Sequence, residues 1–184
     1  MKKYTFQSAR LGFRNWMTDD IEKMAAINAN VDVMKYFPSV QTPQQTAQFI
    51  ERMQLSFNQN GFCYFAVDNL ETTELIGFIG LAEQKFEADF TPCIDIGWRL
   101  AKSAWNNGFA TEGAKRCLEF AFNDLNLEKI VAMAPQINVP SIHVIQKIGM
   151  KRVCTFYNHP YLLADERLKP CELYEIAKTD WLLS

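Results

Sequence analysis

One stretch, CIDIGWRLAKSAWNNGFATEGAKRCLEFAF, limits the folds open to this chain more than any other. It begins as a strand, passes through a short loop and closes as a helix, with small or apolar residues at Ala110, Ala114, Cys117, Ala121, Phe122 and Leu125. A second unit follows: KIVAMAP reads as a buried strand and VPSIHVIQKIG as a short helix stopped by Gly149. Two such units in succession imply a parallel strand pair with a helix between. Upstream, RLGFRNW reads as an opening strand and TDDIEKMAAINAN as a helix, with Thr18 as N-cap and aspartates in its first turn. TPQQTAQFIERMQLSF predicts a longer helix in which Thr42 caps, Pro43 takes the first position, and Phe49, Ile50, Met53 and Phe57 share one face. FCYFAVD and TELIGFIGL, joined by NLET, predict a hairpin; MKRVCTFY and CELYEIAK supply two late strands. The sum is an α/β (α+β) fold: a mixed central sheet of about seven strands, antiparallel at first, flanked by about four helices. With no repeat or linker, residues 1–184 are expected to form a single domain.

Composition removes several classes of function. The 184 residues suffice to bury a full core, and 48% hydrophobic residues argue against disorder. A net charge of −2 at pH 7 supplies no long-range field toward nucleic acid or an anionic membrane. The start MKKYTFQSAR is charged but no apolar run follows, so it does not read as a signal peptide. No stretch approaches the roughly 20 apolar residues of a membrane span. Five scattered cysteines and two histidines, without a CxxC pair, are poor material for a zinc site or a disulfide framework. A cytoplasmic protein is expected, without metal, nucleic acid or membrane partner, as monomer or homodimer. The late strand CELYEIAK either pairs between subunits or is covered internally.

The loop WNNGFAT places small residues where a strand-end loop becomes a helix. The first turn of a helix carries unpaired N–H groups and a partial positive charge, which together form an anion site. Gly108 and Ala110 let an anion approach the main chain, while neither the G-x-x-x-x-G-K-[ST] nor the G-x-G-x-x-G fingerprint is present. A second strand end with its helix start, at INVPS, is expected beside the first, and ligands collect at the carboxyl ends of such parallel strands.

Taken together, CIDIGWRLAKSAWNNGFATEGAKRCLEFAF and INVPSIHVIQKIGM resemble the GNAT superfamily of acetyl-CoA-dependent N-acetyltransferases. The branch most resembled includes the RimJ and RimL ribosomal-protein N-terminal acetyltransferases, and the resemblance runs from RLGFRNW to the final TDW. The family's acyl-CoA motif, often R/Q-x-x-G-x-G/A, stands here as Trp105-Asn106-Asn107-Gly108-Phe109-Ala110; a tryptophan at its head is usual for this branch. The resemblance implies acetyl-CoA as co-substrate. Its pyrophosphate would lie on the N–H groups of Asn106, Asn107, Gly108, Phe109, Ala110 and Thr111. The pantetheine arm would add to the main chain of Trp98, Arg99 and Leu100, with Asn138 fixing it beyond the second strand. A primary amine is the implied acceptor: a protein N-terminus, an aminoglycoside-like drug, a polyamine or an amino-acid derivative.

In the family's mechanism the amine attacks the thioester directly, so a base must take its proton, a donor must meet the oxyanion and the thiolate needs a proton or hydrogen bond. Asp95 is the candidate base, where relatives more often carry glutamate; a backbone N–H in the stretch from Ile96 to Trp98 is the candidate oxyanion donor. Strand alternation puts Cys93, Asp95, Gly97 and Arg99 on one side, so an Asp95–Arg99 ion pair is the structural alternative. The family's tyrosine, seven residues after the asparagine, is replaced by Ile145, and a carboxylate on the preceding strand by Met133. Ser141 is the nearest hydroxyl, either a donor to the thioester sulfur or the cap of its helix. His143 reads as helix surface or base, and Phe109 and Phe122 as core or wall. Arg14, Trp16 and the loop NVDVMKYFPSVQTP fall where the family builds its acceptor wall; Tyr157, His159 and Tyr161 lie on a late loop. The missing tyrosine also leaves room for a non-catalytic acyl-CoA-binding module that regulates a partner. A Cys93 or Cys117 nucleophile with His143 has no support in the spacing.

Overall fold

The computed structural model describes residues 3–183; Met1, Lys2 and Ser184, which the single-domain reading includes, lie outside them. The chain opens with β1 (Phe6–Gln7) and β2 (Leu11–Arg14), then forms α1 (Asp20–Asn28) and α2 (Pro43–Asn60). A meander of β3 (Tyr64–Asn69), β4 (Leu75–Gln84) and β5 (Cys93–Leu100) follows. After it come α3 (Phe109–Glu119), β6 (Lys129–Pro135), α4 (Val139–Lys147), β7 (Lys151–Phe156), β8 (Cys171–Ala177) and α5 (Lys178–Leu182). The strands make one eight-stranded sheet in the order β1-β2-β3-β4-β5-β6-β8-β7. Its β5–β6 pair is parallel and the others antiparallel.

This is the mixed sheet expected from sequence, with one more strand and one more helix than anticipated. The additions are β1, of two residues, and α5, of five, both too short to carry a readable period. β8 lies between β6 and β7, so CELYEIAK is covered internally. At the head of α2 the hydroxyl of Thr42 accepts from the N–H of Gln45, whose side chain accepts from Thr42 N–H, a capping box with Pro43 in the first turn. Thr18 does not cap α1: Asp19 holds that place without a side-chain bond. Asp20 instead accepts from the N–H of Met17 (2.8 Å) and from Arg14, because the ion cluster beneath the helix claims it.

The two faces of the sheet differ. α3 packs where Leu11, Phe13 and Ile79 point, and a Cβ on Gly113 would stand 2.3 Å from Ile79 Cδ1, so a larger residue there would push that side chain aside. On the opposite face α1 and α2 meet Arg14 and Phe78, with the rings of Phe49 and Phe78 5.3 Å apart. Between β5 and β6 the ladder has one bridge, Asp95 opposite Val131, whereas β5 stays paired with β4 as far as Leu100 opposite Gly77. Past Asp95 the parallel strands therefore part, and the β5 edge toward β6 is left open.

Candidate active site

A cleft of about 990 Å³ fills this parting. It is lined by Trp98, Arg99 and Leu100 of β5, the loop and first turn of α3, the start of α4, and the loop between α1 and α2. The site residues anticipated on the cofactor side all meet here except Asn107, which neighbours the lining but is not part of it.

The α3 loop is built from backbone geometry. The indole N–H of Trp105 donates to the carbonyl of Leu100 (2.9 Å), tying the loop to the strand end, and Asn107 donates to Trp105 O (3.0 Å). Asn106 and Gly108 have φ of +61° and +79°. Asparagine and glycine tolerate this left-handed region best. A Cβ on Gly108 would meet only Arg10 Nη2, at 3.5 Å, so in the protein itself the glycine answers a torsion rather than a crowded neighbour. The first backbone bond of α3 is donated by Glu112 to Gly108 O, leaving the N–H groups of Phe109, Ala110 and Thr111 without an intrahelical acceptor. Arg10, overlooked in the sequence reading, lies 4.6 Å over the Phe109 ring and is held by Glu112, which also accepts from Ser8. A cation thus stands beside the anion-ready turn.

Across the cleft, Asn138 is the N-cap of α4: its Oδ1 accepts from Ser141 N–H at 3.3 Å. Ser141 is therefore not the cap, and its hydroxyl has no hydrogen bond among the described residues. His143 is an exposed residue at the cleft wall, while Ile145, standing in the tyrosine's position, is a core residue 1% exposed.

Asp95 is buried on the α1–α2 face. Both carboxylate oxygens lie 2.8 Å from the hydroxyl of Tyr64, and Gln84 Nε2 donates to Oδ1 at 3.1 Å. Burial raises its pKa to about 6, although hydrogen bonds from Gln84, Tyr64 and the backbone favour the ionised form. The Tyr64 hydroxyl is pushed well above its ordinary pKa by burial and by the adjacent carboxylate. On the late loop, Tyr161 is exposed, with its ring 5.9 Å from that of His159. His159 of that loop packs on Phe86 and Phe156, and burial lowers its imidazole to about 4.

The alternation of β5 holds, with an unbroken register against β4, but the alternative Asp95–Arg99 pair does not form. Arg99 reaches the other way: Nη1 donates to Asn28 Oδ1 (2.7 Å) and the guanidinium lies 4.1 Å from the Phe37 ring and 5.4 Å from that of Phe78. Tyr64 stacks on Phe78 at 5.2 Å and occupies the space between the two charges. Arg14 and Trp16 belong to the interior rather than an acceptor wall. Arg14 is clamped by Asp20 and Asp68, and the Trp16 indole donates to Tyr64 O. Phe122 is core, and Phe109 packs partly buried beneath Arg10. Burial raises the thiol pKa of Cys93, to about 11, and that of Cys117 further, which disfavours either as nucleophile.

Tyr64, Gln84 and Asn28 were not singled out from sequence, whereas Phe37 belongs to the loop NVDVMKYFPSVQTP that was, and that loop lines the cleft. Their own strand or loop patterns are ordinary; only the register of β3 on β4 and of β4 on β5 brings the first two to Asp95.

A sheet parted at its one parallel pair, with a helix start on each side of the opening, defines an acyl-CoA N-acyltransferase architecture. The family model for the acetyltransferase (GNAT) domain matches residues 10–151, more than half of the chain, and the protein belongs to that family. It is an acyltransferase enzyme. The uncharacterized N-acetyltransferase YnaD of Bacillus subtilis is 30% identical over 143 residues, 78% of this chain and 80% of that protein. Among solved structures, a GNAT-family acetyltransferase from Bacillus anthracis superposes with a TM-score of 0.77 at 26% identity, covering 94% of this chain and 98% of the other. Spermidine N-acetyltransferase from Vibrio cholerae, solved with CoA and spermine, shares the fold with a TM-score of 0.72 at 18% identity, over 95% and 99% of the two chains. No helix among the described residues is long and apolar enough to cross a membrane.

Proposed function

We propose that residues 1–184 act as one domain that transfers the acetyl group of acetyl-CoA to a primary amine within a ternary complex, with Asp95 as general base. The observation that carries this reading is the position of Asp95. It is a buried carboxylate with a pKa near neutrality, at the last bridge before the strands open. A base poised there is still largely ionised at neutral pH and basic enough to take an amine's proton, directly or through water. The open edge at Trp98, Arg99 and Leu100 offers main-chain groups to the peptide-like pantetheine arm. The N–H groups from Asn106 to Thr111 and the adjacent Arg10 suit the pyrophosphate. Asn138 keeps its amide N–H₂ for the arm while its oxygen caps α4. A backbone N–H between Ile96 and Trp98 meets the oxyanion, and the uncommitted hydroxyl of Ser141 meets the departing thiolate. Trp105 at the head of the loop supports the RimJ/RimL-type branch, and five unpaired cysteines support a cytoplasmic setting.

The test is thiol release from acetyl-CoA by the natural chain, with and without added primary amines. Release that rises with amine concentration, and an acetylated amine detected by mass spectrometry, is the expected result. A protein that binds acetyl-CoA but never releases thiol with any amine contradicts catalysis.

A further inference from the structure

Two arginines are buried on the same face of this sheet, and their surroundings differ in kind. Arg14, 2% exposed, lies between two carboxylates, with Asp20 and Asp68 each 2.7 Å away. Hydrogen bonds to both outweigh the cost of burial and raise its pKa above the ordinary value. Arg99, 9% exposed, has no carboxylate partner among the described residues. Its single hydrogen-bond partner among the described residues is the amide oxygen of Asn28, and its Nε is buried with none. Burial lowers its pKa to about 10, so it stays charged at neutral pH. A buried cation without a counter-ion is costly, and folds rarely keep one that nothing neutralises.

The surroundings hold that guanidinium in place. Asn28 is itself fully buried; its Nδ2 donates to Gln41 Oε1 and Thr46 Oγ1, both at 2.9 Å, which fixes its oxygen toward Arg99. Phe37 and Phe78 pack against the guanidinium, so its charge is oriented and shielded from water. Arg99 lines the cleft, and the charged lining otherwise comprises Lys35, Lys102 and Lys147 against the single carboxylate of Asp32, which is paired with Lys102. The row Asp95, Tyr64, Phe78, Arg99 runs along the face that α1 and α2 cover, away from the α3 face.

We propose that Arg99, oriented by Asn28, receives a carboxylate carried by the acceptor, so that the preferred acceptor is an amino acid or peptide-like amine rather than a polyamine. This rests on the amine-acetylating reading above and names its substrate class. A guanidinium is matched to a planar carboxylate by shape and charge, and a carboxylate would supply the counter-ion that Arg14 has and Arg99 lacks. The cationic lining works against a polycation.

The experiment compares amines that differ only by the carboxylate: L-lysine with cadaverine, L-ornithine with putrescine, L-phenylalanine with phenethylamine, and spermidine beside them. Thiol release gives kcat/KM, and calorimetry on the CoA complex gives binding without turnover. In the natural chain at least one carboxylate-bearing member is expected to exceed its partner by about 100-fold, toward the low end of what losing one partner of a buried charge pair costs. Arg99→Met should shrink that gap to about threefold while acetyl-CoA affinity holds, since the arm meets only the main chain there. Asn28→Asp keeps the guanidinium and its packing but supplies an internal counter-ion, and should erase the preference equally, which guards against a misfolded Arg99 variant. Preference for the decarboxylated amines or spermidine overturns the proposal, as does a gap that survives both substitutions, or no carboxylate-bearing amine binding the CoA complex more tightly than its partner. If Arg99→Met instead abolishes acetyl-CoA binding, or if preference appears for succinyl-CoA over acetyl-CoA, the anion belongs to the donor and the proposal fails. Tight, Arg99-dependent carboxylate binding without any thiol release fails the catalytic reading alone.

Discussion

The cofactor cleft and the side-chain cluster behind it, joined through Phe37 and Arg99, are built on different principles. At the cofactor end most candidate groups are main-chain N–H and C=O between Trp98 and Thr111, joined by the side chains of Asn138 and Arg10. In the cluster every candidate is a side chain, and the set is assembled from distant elements: Asn28 from α1, Phe37 from the following loop, Tyr64 from β3, Phe78 and Gln84 from β4, and Asp95 and Arg99 from β5; only Phe37 and Arg99 of these line the cleft. A backbone site asks of its sequence only small or left-handed residues at a few positions. A side-chain site depends on register and packing. The first therefore tolerates variation in what surrounds it, whereas the second can be retuned by single substitutions; fold alone does not set substrate choice.

Substitutions in the two regions should separate their functions. The largest effect is expected from Asp95→Asn, which should lower kcat by about 100-fold or more while leaving acetyl-CoA affinity within about threefold. In the natural chain kcat/KM should rise with pH through a limb near 6, and the limb should vanish in the variant. Unchanged turnover across pH would remove Asp95 as base. Gly108→Glu acts in the cleft, putting a carboxylate where the pyrophosphate belongs, and should weaken acetyl-CoA by roughly 30-fold in calorimetry, about 2 kcal/mol. Because Arg10 stands close enough to pair with that glutamate, Gly108→Ala is the neutral control. With φ at +79° the alanine should cost about 1 kcal/mol of stability yet keep most of the affinity. If alanine and glutamate weaken binding alike, torsion and not charge governs the site.

Smaller shifts refine the account of Asp95. Tyr64→Phe removes a hydrogen bond that favours the ionised carboxylate, so the pH limb should move upward while kcat falls about three- to tenfold. A limb that stays in place would mean that Tyr64 only packs. A further effect is on stability. A carboxyl whose pKa is raised on folding from 3.8 to about 6 contributes stability that is complete below about pH 4 and is lost as pH rises through 6. Asp95→Asn should therefore match or exceed the natural chain's stability at pH 8, by about 1–3 kcal/mol, and lose that advantage at pH 4. Chemical denaturation at the two pH values measures it.

How much could be read in advance follows the same division. The strands FCYFAVD, TELIGFIGL and CIDIGWRL, the Thr42 cap and Pro43 start of α2 and the WNNGFAT loop are all local patterns, and each appears where its residues place it. Thr18 failed as a cap because Asp20 is drawn into contact with Arg14, a residue six positions earlier on a neighbouring strand. Ser141 yielded the cap to Asn138, since either residue satisfies the same local rule and only the course of the chain decides between them. The pairing of Asp95 with Arg99 was a fair inference from strand alternation, but alternation assigns a face and not a partner.

The sequence alone determined the order and type of the main elements, the parallel pair and the anion-ready turn, because period, capping and glycine torsion act within a few residues of one another. Only the tertiary structure decided that Tyr64 and Gln84 converge on Asp95 and that Arg99 turns toward Asn28 without a counter-ion. Those outcomes depend on contacts across 11 to 71 residues, set by strand register and by how two helices cover one face of a sheet.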